Sequence, residues 1–230
     1  MATINYDFST IARNIRFITQ LAWIARSLQV DRTVTTFLAS HPQAAVVNLG
    51  CGLDTTFDRV DDGHVRWYDL DLPTVIDLRA KYIPDRDRST TLPFDMFDTA
   101  WRDRIDSRRA TLFLASGLFY YFEAPQVRRF VVDLAKSFPG AELLFDACSS
   151  IGLRVANRKV IKAGGMDRSA LLKWSIRNGR GLEEWDRRIT VVADYPVFSG
   201  LKPGFTVKER LGAALSDAVR AMSMVHVRFA

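Results

Sequence analysis

Residues 44–52 read Ala44-Ala45-Val46-Val47-Asn48-Leu49-Gly50-Cys51-Gly52, a short apolar run that ends in a Gly-Cys-Gly turn. A strand apolar on both faces belongs inside a parallel sheet covered by helices on either side. Two glycines at its end let the chain turn tightly and bring backbone close to a ligand. His41-Pro42 breaks the pattern before it. After it, residues 54–60 read as a short helix and Val65-Arg66-Trp67-Tyr68-Asp69-Leu70 as a second strand, followed by a helix over 73–82 with Pro73 in its first turn. Strand, glycine turn, helix, strand, helix is the order of an α/β fold.

The alternation continues outward. A third strand is predicted near 89–92, a helix around Trp101, a fourth strand over 111–115, a helix over 126–137 stopped by Pro139-Gly140, and a fifth strand over 141–147. Residues 151–185 are basic and weakly periodic, broken at Gly164-Gly165 and at Asn178-Gly179-Arg180-Gly181, and read as an insertion covering one end of the sheet. A strand over 189–197, a helix over 207–221 and a strand over 224–229 close the chain. Upstream, Ile11, Ile15, Ile18, Leu21, Ile24, Ala25 and Leu28 recur at helical spacing and predict one buried face.

Composition narrows the class. At 230 residues, with 48% hydrophobic and 25% charged side chains, the chain suits one globular domain and excludes disordered and fibrous classes. The net charge of +6 is spread along the sequence, which permits an anionic ligand without demanding nucleic acid. The longest apolar run, near 112–122, is interrupted by Ser116 and Gly117 and falls short of the roughly 20 residues a bilayer span needs. Asp7 and Arg13 stand where a secretory leader would be apolar, so a cytoplasmic protein is expected. Cys51 and Cys148 have no CxxC or Cys/His spacing and read as reduced thiols, with no metal site.

In open α/β sheets the ligand lies beyond the carboxyl ends of the strands where strand order reverses, normally at the turn after the first strand. An acid ending the second strand then meets ribose hydroxyls. Asp71 lies 19 residues beyond Gly52, near the expected offset, with Asp69 as its competitor on the same face. Thr55 stands where a dinucleotide fingerprint needs its third glycine, so a nucleoside ligand without pyrophosphate fits better, S-adenosylmethionine being the common one. A lone GxG is equally a tight structural turn.

Three longer strings say more. VVNLGCGLDTTFDRV (46–60), WYDLDLP (67–73) and FPGAELLFDACS (138–149), at these spacings, resemble the leucine carboxyl methyltransferase family, and within it the bacterial, tetracenomycin-type branch of polyketide O-methyltransferases. The likeness runs from about Arg26 to Trp185. It implies a Rossmann-like class I methyltransferase: a mainly parallel seven-stranded sheet with an N-terminal helical lid (1–42), a cofactor-binding half (43–150), an insertion capping the substrate (151–187) and C-terminal strands and helix (188–230). It also implies methyl transfer from S-adenosylmethionine to a hydroxyl or carboxylate of a small molecule, free or carrier-bound, with no nucleic-acid or membrane partner.

The implied cofactor residues are Arg26, Gly50, Cys51, Gly52, Asp54, Asp69, Asp71, Leu72, Asp95, Met96, Ala115 and Ser116. In that reading Arg26 pairs with the cofactor carboxylate, Gly50 underlies its methionine part, Asp71 holds the ribose, and Asp95-Met96 meets the adenine. Ala115 to Tyr121 matches the family's AEGVLMYL segment, with Tyr121 retained. Two departures stand out. Ser116 replaces that segment's glutamate, and Asn48 replaces the acid many methyltransferases carry before the turn. The family's N-terminal lysine has no clear counterpart, although Arg13 and Arg16 offer charge nearby.

A carboxylate acceptor needs no base, whereas a hydroxyl is helped by one. His41 and His64 read as surface residues. Tyr120, Tyr121 and His226 are the catalytic candidates, each with a plain packing role as its alternative, and Asp146 is either a functional acid or a cap for the next helix. Trp174 and Trp185 either wall a pocket or anchor the insertion. The basic stretches are a solvated face or attract an acidic substrate. Three other functions compete: a cofactor-binding protein without turnover, prompted by Ser116 and Asn48; an RNA methyltransferase, prompted by the pI near 9.5 but lacking an NPPY motif; and a dehydrogenase, against which the missing glycine stands.

Overall fold

A computed structural model describes residues 17–162, 168–201 and 205–230. Its centre is a seven-stranded sheet: β1 (Ala45–Leu49), β2 (Arg66–Asp71), β3 (Ser89–Pro93), β4 (Thr111–Ala115), β5 (Glu142–Ala147), β6 (Ile189–Pro196) and β7 (Ser223–Phe229). The strand order is β3-β2-β1-β4-β5-β7-β6, parallel except for β7, which runs antiparallel to both β5 and β6. β1, β4 and β5 are buried along their whole length, as largely apolar central strands require, with Asn48, Thr111, Glu142 and Asp146 as their buried polar residues. Their side chains alternate between two cores. Val47, Leu49, Phe113, Leu143 and Phe145 face one, with Trp101 and Trp174, while Val46, Leu112, Leu114 and Leu144 face the other, with Trp67 and Phe37.

Helices α1 (Phe17–Ser40), α2 (Thr56–Val60), α3 (Pro73–Ala80), α4 (Ala124–Ser137), α5 (Ser150–Ala156) and α6 (Val207–Ala218) flank the sheet. Pro73 opens α3 where no intrahelical amide is needed. A reciprocal box between Glu123 and Gln126 opens α4. The stretch around Trp101 is a single tight turn, and beyond α5 the described part of the insertion has short helical turns at Asn157–Lys162, Arg168–Ala170 and Gly179–Leu182.

The face of α1 departs from the sequence expectation. Ala25 is buried and Ile18 and Leu21 pack at the core's edge, but Ile24 and Leu28 are exposed; Ile11 and Ile15 lie outside the described residues. The buried side is turned toward Ala22, Ala25 and Gln29. Alanines allow a close approach to the sheet, and the Gln29 amide is drawn inward because it donates to the carbonyls of Val197 and Ser199 at 3.0 and 2.8 Å. Among the described residues no helix is long and apolar enough to cross a membrane.

Candidate active site

The chain leaves β1 toward β2 and β3, then crosses back to build β4 on the other side of β1. The carboxyl ends of β1 and β4 therefore splay apart and open a crevice at this switch point. Gly50-Cys51-Gly52 lies on one side of it and Ser116-Gly117 on the other. Gly50 has φ +63°, and a Cβ there would stand 2.6 Å from Leu118 Cδ1, so only glycine passes at this point without strain. The Cys51 amide donates to the Leu70 carbonyl, and the buried Cys51 thiol is pushed up by desolvation, which leaves it inert.

Asp71 stands beside the turn. Its Oδ2 accepts the Gly52 amide at 2.8 Å and its Oδ1 accepts the amide of the exposed Leu72, leaving further lone pairs toward solvent. Asp69 differs. It is 1% exposed and accepts from Arg79 Nη2 (2.8 Å), Trp67 Nε1 (2.9 Å) and Asn48 Nδ2 (3.0 Å). Burial raises its carboxyl above the ordinary value against the pull of Arg79. Asp69 thus drops out as a ribose ligand: its oxygens are taken by protein donors beneath the turn. Asp54 is similarly engaged, by Asn48 Nδ2, the Thr56 amide and the Thr56 hydroxyl.

This lower layer contains a residue the sequence did not single out. Arg79, from α3, donates to the carbonyls of Gly52 (3.0 Å) and Asp54 (2.6 Å) as well as to Asp69, so one guanidinium holds the turn from below. Asn48 donates to both Asp54 and Asp69, which explains why an amide replaces the usual acid: a third carboxylate would face two others. At the end of β3, Asp95 is exposed and caps the Phe97 amide, while the Met96 side chain is buried and its carbonyl accepts the Trp101 indole.

Next to the turn lies a cavity of about 740 Å³, walled by α1, the end of β4, α5 and α6. Ile18, Trp23, Ile151, Val155, Leu215 and Val219 make it largely apolar, with Arg26, Ser116, Tyr120 and Tyr121 at its polar side. Ala115 is buried at the end of β4. Asp146, fully buried at the end of β5, accepts from Arg26 Nη1 (3.0 Å), the Tyr120 hydroxyl (3.0 Å) and the Gly117 amide (2.5 Å). Desolvation works against the Arg26 charge, yet Asp146 outweighs it and holds the guanidinium protonated, while burial beside Asp146 drives the Tyr120 phenol well upward. Cys148, also on the wall, is pushed up to about 12 by burial.

Two other sequence candidates resolve. His226 leaves the site: because β7 runs antiparallel to β5, Ser223 pairs with Ala147 at the site end, whereas His226 pairs with Leu144 and places Nε2 2.8 Å from Glu142 at the opposite end. Trp174 anchors the insertion. It is 2% exposed, packed on Phe119, Phe145 and Trp185, and its amide and that of Lys173 donate to the Tyr120 carbonyl.

A seven-stranded sheet of this order, with a glycine turn and Asp71 at its switch point, has the α/β fold of class I methyltransferases. The chain belongs to the leucine carboxyl methyltransferase family, whose sequence model matches residues 8–135. Over 185 residues it is 32% identical to the tetracenomycin polyketide synthesis O-methyltransferase TcmP of Streptomyces glaucescens, spanning 78% of this chain and 65% of that enzyme's length. Among solved structures it is similar to one from Thermobifida fusca described as a methyltransferase (TM-score 0.65, 16% identity, 96% of this chain and 85% of that one). A DUF574 family protein of Streptomyces avermitilis shares the fold at TM-score 0.62, with 16% identity over 90% of this chain and 83% of that one.

Proposed function

We propose that this chain is an S-adenosylmethionine-dependent O-methyltransferase whose small-molecule acceptor occupies the apolar cavity. The observation that carries the reading is the junction of two half-sites: a nucleoside-type turn with Asp71 at the ends of β1 and β2, and an apolar cavity at the end of β4, with Arg26 between them. The residues fit the cofactor. Asp71 keeps lone pairs beside Gly52 for ribose hydroxyls, Asp95 and Met96 follow β3, where the family resemblance expects the adenine, and the Arg26 guanidinium lines the cavity as a cation that suits the cofactor's carboxylate.

S-adenosylmethionine, when bound, supplies a methyl group on an already activated sulfonium. What remains for the protein is alignment and exclusion of water, a proximity effect on the order of 7–11 kcal/mol. α1, α5 and α6 supply the dry wall. Among the described residues lining the cavity, none serves as a base near neutral pH: Arg26 is a cation, the Tyr120 hydroxyl is committed to Asp146, and Cys148 stays protonated. That favours a carboxylate acceptor, which carries its nucleophilic oxygen ready-made. The polyketide-type acceptor of the S. glaucescens relative is the substrate class to test first, in a cytoplasmic biosynthetic setting.

Calorimetric titration with S-adenosylhomocysteine tests the cofactor half. Micromolar binding, lost in Asp71→Ala, is expected; no binding by the wild type withdraws the reading. An acceptor screen comparing aromatic carboxylic acids with their phenolic counterparts then tests the second half.

A further inference from the structure

Resting on that reading, we propose that Asp146 is a positioning residue that sets the Arg26 guanidinium to receive the cofactor's carboxylate. Three elements converge on it: Arg26 from α1, the Gly117 amide from the end of β4 and the Tyr120 hydroxyl from the turn that follows. Its oxygens are occupied and fully buried, so it meets no ligand itself. Among the described residues Arg26 makes one hydrogen bond, through Nη1, and its side chain lines the cavity while 23% exposed. A cation facing a largely apolar cavity is costly unless something complements it, and a carboxylate is the complement that suits a guanidinium's geometry.

The neighbouring backbone keeps room for this arrangement. Gly117 has φ +71°, and a Cβ there would lie 2.7 Å from Arg26 Nη1; only glycine leaves the guanidinium its place. One residue further, Leu118 packs over Gly50, so the guanidinium and the glycine turn are joined through two adjacent residues. Asp146 also supplies a carboxylate near the position where Ser116 departs from the family, but as an anchor for Arg26 and not as a free charge.

The test uses two ligands that share a nucleoside and a thioether. S-adenosylhomocysteine has the amino-acid carboxylate; 5′-methylthioadenosine lacks it. Calorimetry on the wild type should detect both. Asp146→Asn should weaken S-adenosylhomocysteine about ten- to a hundredfold and leave methylthioadenosine within about twofold, because a guanidinium without its fixed partner turns to water. Arg26→Ala should show the same selectivity, and the double variant should lose no more than Arg26→Ala alone. Gly117→Ala, which displaces Arg26 by contact, repeats the test should Asp146→Asn fail to fold.

Equal weakening of both ligands would make Asp146 merely structural and overturn the proposal. So would tighter S-adenosylhomocysteine binding in Asp146→Asn, which would mean that Asp146 competes for the guanidinium. Additive losses in the double variant would likewise uncouple the pair. A wild type that binds neither ligand removes the cofactor reading itself, an outcome distinct from the other three.

Discussion

Restoring the acid that many methyltransferases carry before the glycine turn should damage this protein. Asn48 Nδ2 donates to Asp54 Oδ2 at 3.1 Å and to Asp69 Oδ1 at 3.0 Å, in a layer where Asp69 is 1% exposed. Asn48→Asp removes both donations, each worth roughly 1.5–3 kcal/mol when the acceptor is charged. It also sets a third carboxylate about 3–4 Å from two others, a repulsion of about 4 kcal/mol per pair at an effective dielectric of 20. Relaxation and partial protonation trim the sum, so a loss of about 3–5 kcal/mol at pH 7 is expected. For a chain of this size that is a fall in melting temperature of roughly 6–20 °C.

The penalty should have a pH signature. A carboxyl inserted between two others has its folded-state pKa raised, so its cost is present at neutral pH and fades as pH falls through that raised value. Thermal unfolding of the wild type and Asn48→Asp at pH 7.5 and 5.5 measures both effects. A variant melting within about 2 °C of wild type at pH 7.5, as a rough threshold, would refute the role of Asn48 as a donor between two acids.

Other perturbations follow from the same geometry. Arg79→Ala, beneath the turn, should weaken S-adenosylhomocysteine binding as well as stability, because the carbonyls of Gly52 and Asp54 lose their common donor; limited proteolysis at the turn reads the loosening. Trp174→Ala should cost about 3–5 kcal/mol by cavity formation and loosen the insertion, measurable by urea unfolding and hydrogen exchange over 170–185. Glu142 gives an acid limb: burial opposes its charge, but His226 and Arg228 outweigh burial and lower its carboxyl from 4.5 to about 2. Its contribution is therefore whole above pH 4.5 and lost as pH falls toward 2, so Glu142→Gln should flatten the stability profile in that window.

The sheet was legible because its strands are short apolar runs whose period and flanking turns are local properties. The Gly50–Gly52 turn and Asp71 were legible because the offset along one strand-helix-strand unit is fixed by the fold. What stayed hidden depends on contacts between distant residues. Asp146 and Arg26 are 120 positions apart, and nothing in either neighbourhood announces the other. Arg79 carries no local signal either; only the approach of α3 to the turn gives it three acceptors. His226 was correctly placed in the last strand, but the direction of β7, which decides whether it faces the site, is set by pairing with β5. On α1, two overlapping apolar stripes were available, and the alanine-lined one was chosen by fit to the sheet.

The grip of Arg79 on the turn has a thermodynamic consequence. Because the carbonyls of Gly52 and Asp54 are tied at folding, the loop's conformational freedom is lost before any ligand arrives. Ligand capture there should consequently show little entropic opposition from backbone ordering, and the association rate should approach that of a preformed receptor. Selectivity can then change through the exposed Leu53, Leu72 and Phe97, which follow the first three strands, without disturbing the backbone that presents them.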